Sequence, residues 1–210
     1  MIAASNLMKI AAIAIWGAIF ALVLLCRAPA EEAVPTDEAF CKPVVFEGRR
    51  YVVCNIDARR HEITISWRGA RNAPYGTIGN YLRELRQDER SHLMFAMNAG
   101  MYESDLRPVG LLIERGKELS KVNIGDGVGN FYWKPNGIFF VGKRNVGIRT
   151  TDLYLADPPE VEYATQSGPM LVLNGAIDGQ MLASTSSRNI RNAVGVQDEH
   201  TAIFAISTIK

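Results

Sequence analysis

Three stretches of this sequence set small polar residues and glycine against apolar, strand-forming runs. Asn98-Ala99-Gly100-Met101-Tyr102-Glu103-Ser104-Asp105 follows His92 to Met97 (HLMFAM). Thr165-Gln166-Ser167-Gly168-Pro169 precedes Met170 to Leu173. Arg188 to Asn192 (RNIRN) precedes Ala193-Val194-Gly195-Val196. Glycine near a strand end lets a ligand approach the backbone. Amides exposed in such turns can hold an anion, and arginine adds a planar fork of donors suited to phosphate. The residue types point to a site for an anionic ligand; as a pattern alone they fit ordinary turns equally well.

Several other chemistries lack their signatures. There is no Walker loop and no G-x-S-x-G serine elbow, and His61-Glu62 lacks the second histidine of a zincin. Gly125-Asp126-Gly127-Val128-Gly129 begins like a dinucleotide loop, but Asn130 stands where the last glycine is needed, among strand patterns. It reads as a flexible loop. His61, His92 and His200 are scattered and read as satisfied surface or core residues.

Four motifs occur in a fixed order. They are Met97-Asn98-Ala99-Gly100-Met101-Tyr102; Gly129-Asn130-Phe131-Tyr132 with Pro135-Asn136-Gly137; Ala164-Thr165-Gln166-Ser167-Gly168-Pro169-Met170-Leu171; and Ile190-Arg191-Asn192-Ala193-Val194-Gly195. Together they resemble the phosphodiester glycosidase family, over roughly residues 41–210. Any one alone would be weak. The resemblance implies hydrolysis of the bond between a sugar's anomeric carbon and a phosphodiester oxygen, and an uncovering-enzyme-like fold.

Site residues follow from that resemblance. Arg191 matches the arginine of an Arg-x-Ala-x-Gly run and is assigned to the phosphate. Asn98 matches the leading asparagine of an Asn-Gly-Gly-like turn, with Ala99 in place of the first glycine. Gly100, Ser167 and Gly168 match positions where backbone nears substrate; Asn136 and Asn174 are also assigned to substrate. An oxocarbenium-like transition state wants a carboxylate, although a phosphate leaving group needs little protonation. Glu103, Asp105 and Asp126 are the nearest acids, and Glu103 is the catalytic choice; as loop acids they also read as solvated. No cofactor is demanded. Asp and Asn oxygens could hold a divalent cation such as calcium, though no ligand spacing requires one. Family members continue past the strand matching Thr201 to Ile209 through a helix to an Asp-Gly-Gly-like turn. The resemblance therefore implies a C-terminally incomplete domain. Loss of catalysis, leaving a polysaccharide-binding or accessory protein, is the alternative.

The elements that must position these residues are mostly strands. Tyr51 to Ile56 is β-branched and aromatic, and Ile63, Ile65 and Trp67 alternate with polar residues. Gly48 with Arg49-Arg50 marks the turn between the first two strands. Val109 to Ile113 and Glu118-Leu119 flank a hairpin turn at Glu114 to Lys117. Gly137 to Val141 and Val146 to Arg149 flank another, Asn174-Gly175 is a turn, and Ala193 to Val196 and Thr201 to Ile209 close the chain. One helix is predicted over Thr77 to Gln87, with Thr77 as N-cap and a stripe of Ile78, Tyr81, Leu82 and Leu85. A second is expected near Thr151 to Leu155. The βαβ alternation of doubly wound folds is missing, so the expected class is α+β, a mixed, largely antiparallel sheet with few helices.

The 210 residues suit one domain, and 48% hydrophobic with 21% charged residues suits a packed core. A net charge of +1 provides no field for nucleic acid. Lys9 precedes an apolar run, Ile10 to Cys26, and Arg27 ends it. Ala28-Pro29-Ala30 then offers a signal-peptidase site, with the cut after Ala30. Residues 1–30 read as a signal peptide outside the fold, with an uncleaved anchor or a lipoprotein as alternatives, and residues 31–40 read as a linker. The expected location is periplasmic or extracellular, with no stable membrane insertion after cleavage. Cys41 and Cys54 then form an even pair in an oxidising compartment, and a disulfide would contribute on the order of 3 kcal/mol; two unpaired buried thiols are the alternative. The expected partner is a sugar phosphate or a polysaccharide.

Overall fold

The computed structural model describes residues 1–6, 40–177 and 189–208. The apolar run Ile10 to Cys26, the cut after Ala30, the linker up to Ala39, and Arg188 lie outside the described residues. The first strands are β1 (Ile2–Asn6), β2 (Cys41–Phe46), β3 (Arg49–Asp57) and β4 (His61–Ile65). Helices α1 (Ile78–Glu84) and α2 (Gln87–His92) lead into β5 (Leu93–Met97). Then come β6 (Leu112–Glu114), β7 (Lys117–Ser120), a 3-10 turn at Asn130–Tyr132, β8 (Gly137–Val141), β9 (Val146–Thr150) and α3 (Thr151–Ala156). The chain continues through β10 (Tyr163–Ser167), β11 (Val172–Leu173), β12 (Ala176–Ile177), β13 (Asn192–Val196) and β14 (Thr201–Ser207).

The strands form sheets ordered β4-β1-β5, β7-β6-β10-β8-β9 and β13-β14-β3-β2, with β11-β12 as a separate ribbon. Every pairing among the described strands is antiparallel, so the sheets are antiparallel where a mixed arrangement was expected. The hairpin turns account for much of this. Glu47-Gly48, Arg115-Gly116 and Asn174-Gly175 all have positive φ at both residues, the two-residue turn whose twist matches the flanking strands. The first of these turns is therefore Glu47-Gly48, and Arg49-Arg50 already belongs to β3.

One core joins the three larger sheets. Ile56 and Phe204 come from one sheet, Ile63, Ile65 and Met97 from another, and Phe139, Val141 and Tyr163 from the third. Phe204 packs edge-on against Phe139 with ring centroids 5.9 Å apart. Burying each such side chain contributes about 1.5–3 kcal/mol. The continuous run Gly137–Val141 is explained by its interior place in the five-stranded sheet, between β10 and β9. Phe139 and Val141 enter the shared core, whereas Ile138 and Phe140 meet Tyr154 of α3 on the opposite face. Cys41 and Cys54 pair directly across β2 and β3 and are joined in a disulfide.

One expectation is corrected. The helix predicted over Thr77 to Gln87 is two helices. Thr77 does cap the first, its Oγ1 accepting from Asn80 N at 3.1 Å. At Leu85 the backbone becomes extended, and Arg86 starts a new helix by donating its N–H to Glu89 Oε2 at 2.8 Å. Asp88 and Glu89 in the first turn of α2 suit the positive end of its dipole, which favours a fresh start there. The described residues of the N-terminal segment, read from the sequence as part of a signal peptide, also form a strand. Ile2–Asn6 is the middle strand between β4 and β5, and Ile2, Ala3 and Ala4 are all buried. Small and β-branched residues fill a gap that β4 and β5 do not close themselves.

Candidate functional site

β4 runs into Ser66 and Trp67, β5 runs into Asn98 to Tyr102, and β10 carries Thr165 and Gln166. These three strand ends surround a pocket of about 140 Å³. Asn98 and Gly100 line it together with Thr165, Gln166, Trp67 and Tyr75. Tyr102 stands at its edge, 59% exposed.

Gly100 shows how closely two of the three polar stretches approach each other. Its φ is +50°, and a Cβ there would overlap Thr165 Oγ1 and lie 3.2 Å from the Gln166 carbonyl oxygen. Only glycine accommodates both the left-handed backbone and this approach. Thr165 is buried, and its hydroxyl lies against Gly100 in the pocket wall.

Gln166 fixes the other side of that strand. Its Oε1 accepts from Leu111 N at 3.1 Å and Asn123 N at 2.9 Å. Its Nε2 donates to Asn123 O at 2.8 Å and Thr151 Oγ1 at 3.1 Å. Thr151 Oγ1 in turn donates to Asn136 Oδ1 at 2.7 Å, and Asn136 Nδ2 donates to Phe131 O at 3.2 Å. Gln166 is 1% exposed and Asn136 4%. A buried amide with all its groups satisfied adds rigidity, because losing a partner would leave a costly orphan. Asn136 thus braces the pocket from behind and does not line it.

The third polar stretch arrives through Asn192. Its Nδ2 donates to Asn98 Oδ1 at 2.8 Å and to Asn98 O at 3.0 Å. The neighbouring Arg191 is held at its backbone, where its N–H donates to Ser207 Oγ at 2.8 Å and its carbonyl accepts from Ser207 N at 2.9 Å. Arg191 is exposed beside the pocket and is not among its lining residues.

The other assigned residues are spread around this centre. Ser167 follows Gln166 opposite Gly137 and lies just past the pocket. Gly168 packs on the 3-10 turn, where a Cβ would come within 2.6 Å of Phe131 O. Asn174 occupies the β11–β12 turn, exposed and outside the pocket. Glu103 is exposed in the turn beyond Tyr102, its N–H donating to Arg107 O at 2.8 Å. Asp105 pairs with Arg107 at 2.6 Å and Asp126 with Lys134 at 2.8 Å. In each case the hydrogen bond from the cation holds the carboxyl below its usual range. Among the described residues no three His, Cys, Asp or Glu side chains cluster as a metal site.

Thr165, Gln166 and Asn192 carry no individual assignment from the sequence. One signal was present for the first two, a polar pair at the end of a strand otherwise buried. Nothing in the sequence pairs Asn192 with Asn98.

Comparison with known proteins places this sequence in a family. Residues 91–208 match the phosphodiester glycosidase family. That span runs from the end of α2 to β14 and includes all three polar stretches. YigE, an uncharacterized protein of Escherichia coli strain K12, is 32% identical over 175 residues, which cover 83% of this chain and 66% of that relative. The chain thus matches a little under two thirds of the relative's length. No solved structure matches. The chain belongs to the phosphodiester glycosidase family.

Proposed function

We propose that this protein is an exported hydrolase that cleaves the sugar–phosphate bond of glycosyl phosphodiesters in envelope or extracellular polysaccharide. The observation that carries this reading is the meeting of the family's separated motifs at one pocket. Asn98 and Gly100 abut Thr165 and Gln166, and Asn98 is bonded to Asn192 beside Arg191. In this reading the sugar sits against Trp67, Tyr75 and Tyr102, whose faces suit the C–H surface of a pyranose ring. Asn98 and the Thr165 hydroxyl orient it. The phosphodiester lies toward Arg191, whose guanidinium stabilises the charge that grows on the leaving phosphate. Phosphate is a weak base, so departure requires little protonation, and Glu103, exposed in the turn after Tyr102, is the carboxylate assigned to it.

Export is part of the proposal. The signal-like N-terminus and the disulfide support it. No helix among the described residues is long and apolar enough to cross a membrane.

The test is turnover of a glycosyl phosphodiester, read as release of reducing sugar. Arg191→Ala should lower it at least a hundredfold, a loss of about 3 kcal/mol of transition-state stabilisation. Full activity in that variant removes the phosphate contact. A second reading is a non-catalytic polysaccharide-binding or accessory protein. It is favoured by the surface ion pairs that occupy Asp105 and Asp126. Saturable glycan binding with no product would establish it.

A further inference from the structure

The loop between β4 and α1 brings a cation to the rim of the pocket. Trp67 and Tyr75 both line the pocket, and the chain between them folds back on itself. Tyr75 N donates to Trp67 O at 3.1 Å, Gly69 N to Ala73 O at 3.0 Å and Asn72 N to Gly69 O at 2.9 Å. Arg68 stands in this short hairpin opposite Pro74, another lining residue. Its guanidinium carbon lies 3.8 Å from the centroid of the Trp67 ring. At that separation the group lies flat on the indole, because an N–H aimed at the ring would hold the carbon further away. The indole is itself anchored, its Nε1 donating to Leu106 O at 2.8 Å.

A flat guanidinium keeps its N–H groups, which lie in its own plane, for other partners. Arg68 uses one, Nη1 donating to Asn72 Oδ1 at 3.3 Å, and it forms no ion pair among the described residues. Arg59, Arg86, Arg107 and Arg149 each hold a carboxylate instead. The acid beside this loop is already committed, since Glu84 Oε2 accepts from Ala70 N at 2.9 Å. Arg68 is thus an exposed, pre-positioned fork of donors at the side of the pocket lined by Trp67 and Tyr75. That is the side given to the sugar in the proposed hydrolysis. Arg191, assigned to the scissile phosphodiester, instead adjoins Asn192, which is bonded to Asn98. We infer that Arg68 forms a second anion subsite, which takes a carboxylate or a phosphate on the glycosyl side of the bond to be cleaved. The inference rests on the proposed hydrolysis and narrows its substrate class to an acidic glycan, charged on the sugar as well as at the phosphodiester. Both anions match the spacing of the guanidinium fork. Stacking on Trp67 fixes the side chain beforehand, so little rotamer freedom is lost when the anion arrives.

The experiment uses the full chain and a set of methyl phosphodiesters at the anomeric carbon: of glucose, of glucuronate, and of glucose bearing a phosphate on its primary hydroxyl. Turnover is read as release of reducing sugar, and Kd by calorimetry. The expected result is a kcat/KM about tenfold higher for a charged probe than for the glucose probe, carried by KM. The charged probe with the larger preference identifies the anion. Arg68→Met, which keeps an unbranched stem over the indole, should cut that preference to about twofold or less. Arg68→Lys, which keeps the charge without the planar fork, should leave about fivefold or less. Arg71→Met, at an exposed arginine of the same loop that does not line the pocket, should retain the preference. Equal kcat/KM for all the probes overturns the subsite and leaves hydrolysis standing. An equal loss in Arg71→Met reduces the effect to a general positive field and also overturns the subsite. If no probe is turned over while Kd shows the same preference and the same loss in Arg68→Met, the subsite stands and the hydrolase reading falls. No turnover together with equal or undetectable binding overturns both.

Discussion

Two neighbouring pieces of one loop, Asn98–Gly100 and Glu103–Arg107, look alike in sequence: short, polar and placed after a strand. The structure treats them differently. Asn98 is bonded to a residue 94 positions away, and Gly100 is pressed against Thr165. The Glu103–Arg107 turn is held by its own members. Glu103 N donates to Arg107 O at 2.8 Å, Leu106 N to Glu103 O at 2.9 Å, and Asp105 pairs with Arg107. Polar residues fixed by distant parts of the chain mark the site. Polar residues fixed by near neighbours mark a solvated turn.

The contrast can be broken most severely at Gly100. Gly100→Ala should cost about 2–3 kcal/mol through strained backbone and the clash with Thr165, lowering Tm by roughly 4–12 °C and abolishing ligand binding. A Tm within a degree of the parent would mean that the two stretches do not touch. Asn192→Ala tests the other long-range tie. Turnover should fall about tenfold, roughly 1.4 kcal/mol in the barrier, with little change in Tm. Equal kcat/KM would make the Asn98–Asn192 contact incidental. Asp105→Asn should do least, leaving Tm at neutral pH and activity unchanged. Arg107 holds the Asp105 carboxyl below its usual range, so any stability it contributes is present above the unfolded-state pKa and is lost on acidification. The variant should remove that slope, as seen in melts taken from pH 6 down to pH 3. A large loss of Tm at neutral pH would erase the distinction between the two pieces.

Much of the architecture was legible because its causes are local. The αL pairs at Asn174-Gly175 and Arg115-Gly116 announce hairpins, and Thr77 announces a helix start. The break at Leu85 was not legible. An unbroken apolar stripe runs across it, and the choice between one helix and two depends on Glu89 reaching back to Arg86. Asn136 is assigned to substrate by the family resemblance. Its burial behind the pocket follows from Thr151, fifteen residues on, meeting Phe131 and Gln166 around it.

The place of Ile2–Asn6 was hidden for a different reason. Five short residues ahead of Lys9 and an apolar run carry no mark of a central strand, because strand identity there is conferred by the two edges that need a partner.

By itself, the sequence determined the antiparallel hairpins, the strand alternation, the Cys41–Cys54 pairing opportunity and the four ordered motifs that name the family. These depend on backbone preference, side-chain period and residue identity, which act within a few positions. Only the tertiary structure decided that Gly100 meets Thr165, that Gln166 is saturated from three directions, that Asn98 and Asn192 share a hydrogen bond, and that a gap between β4 and β5 requires a strand. Those outcomes are set by packing three sheets around one core, where each contact joins residues whose separation along the chain carries no local signal.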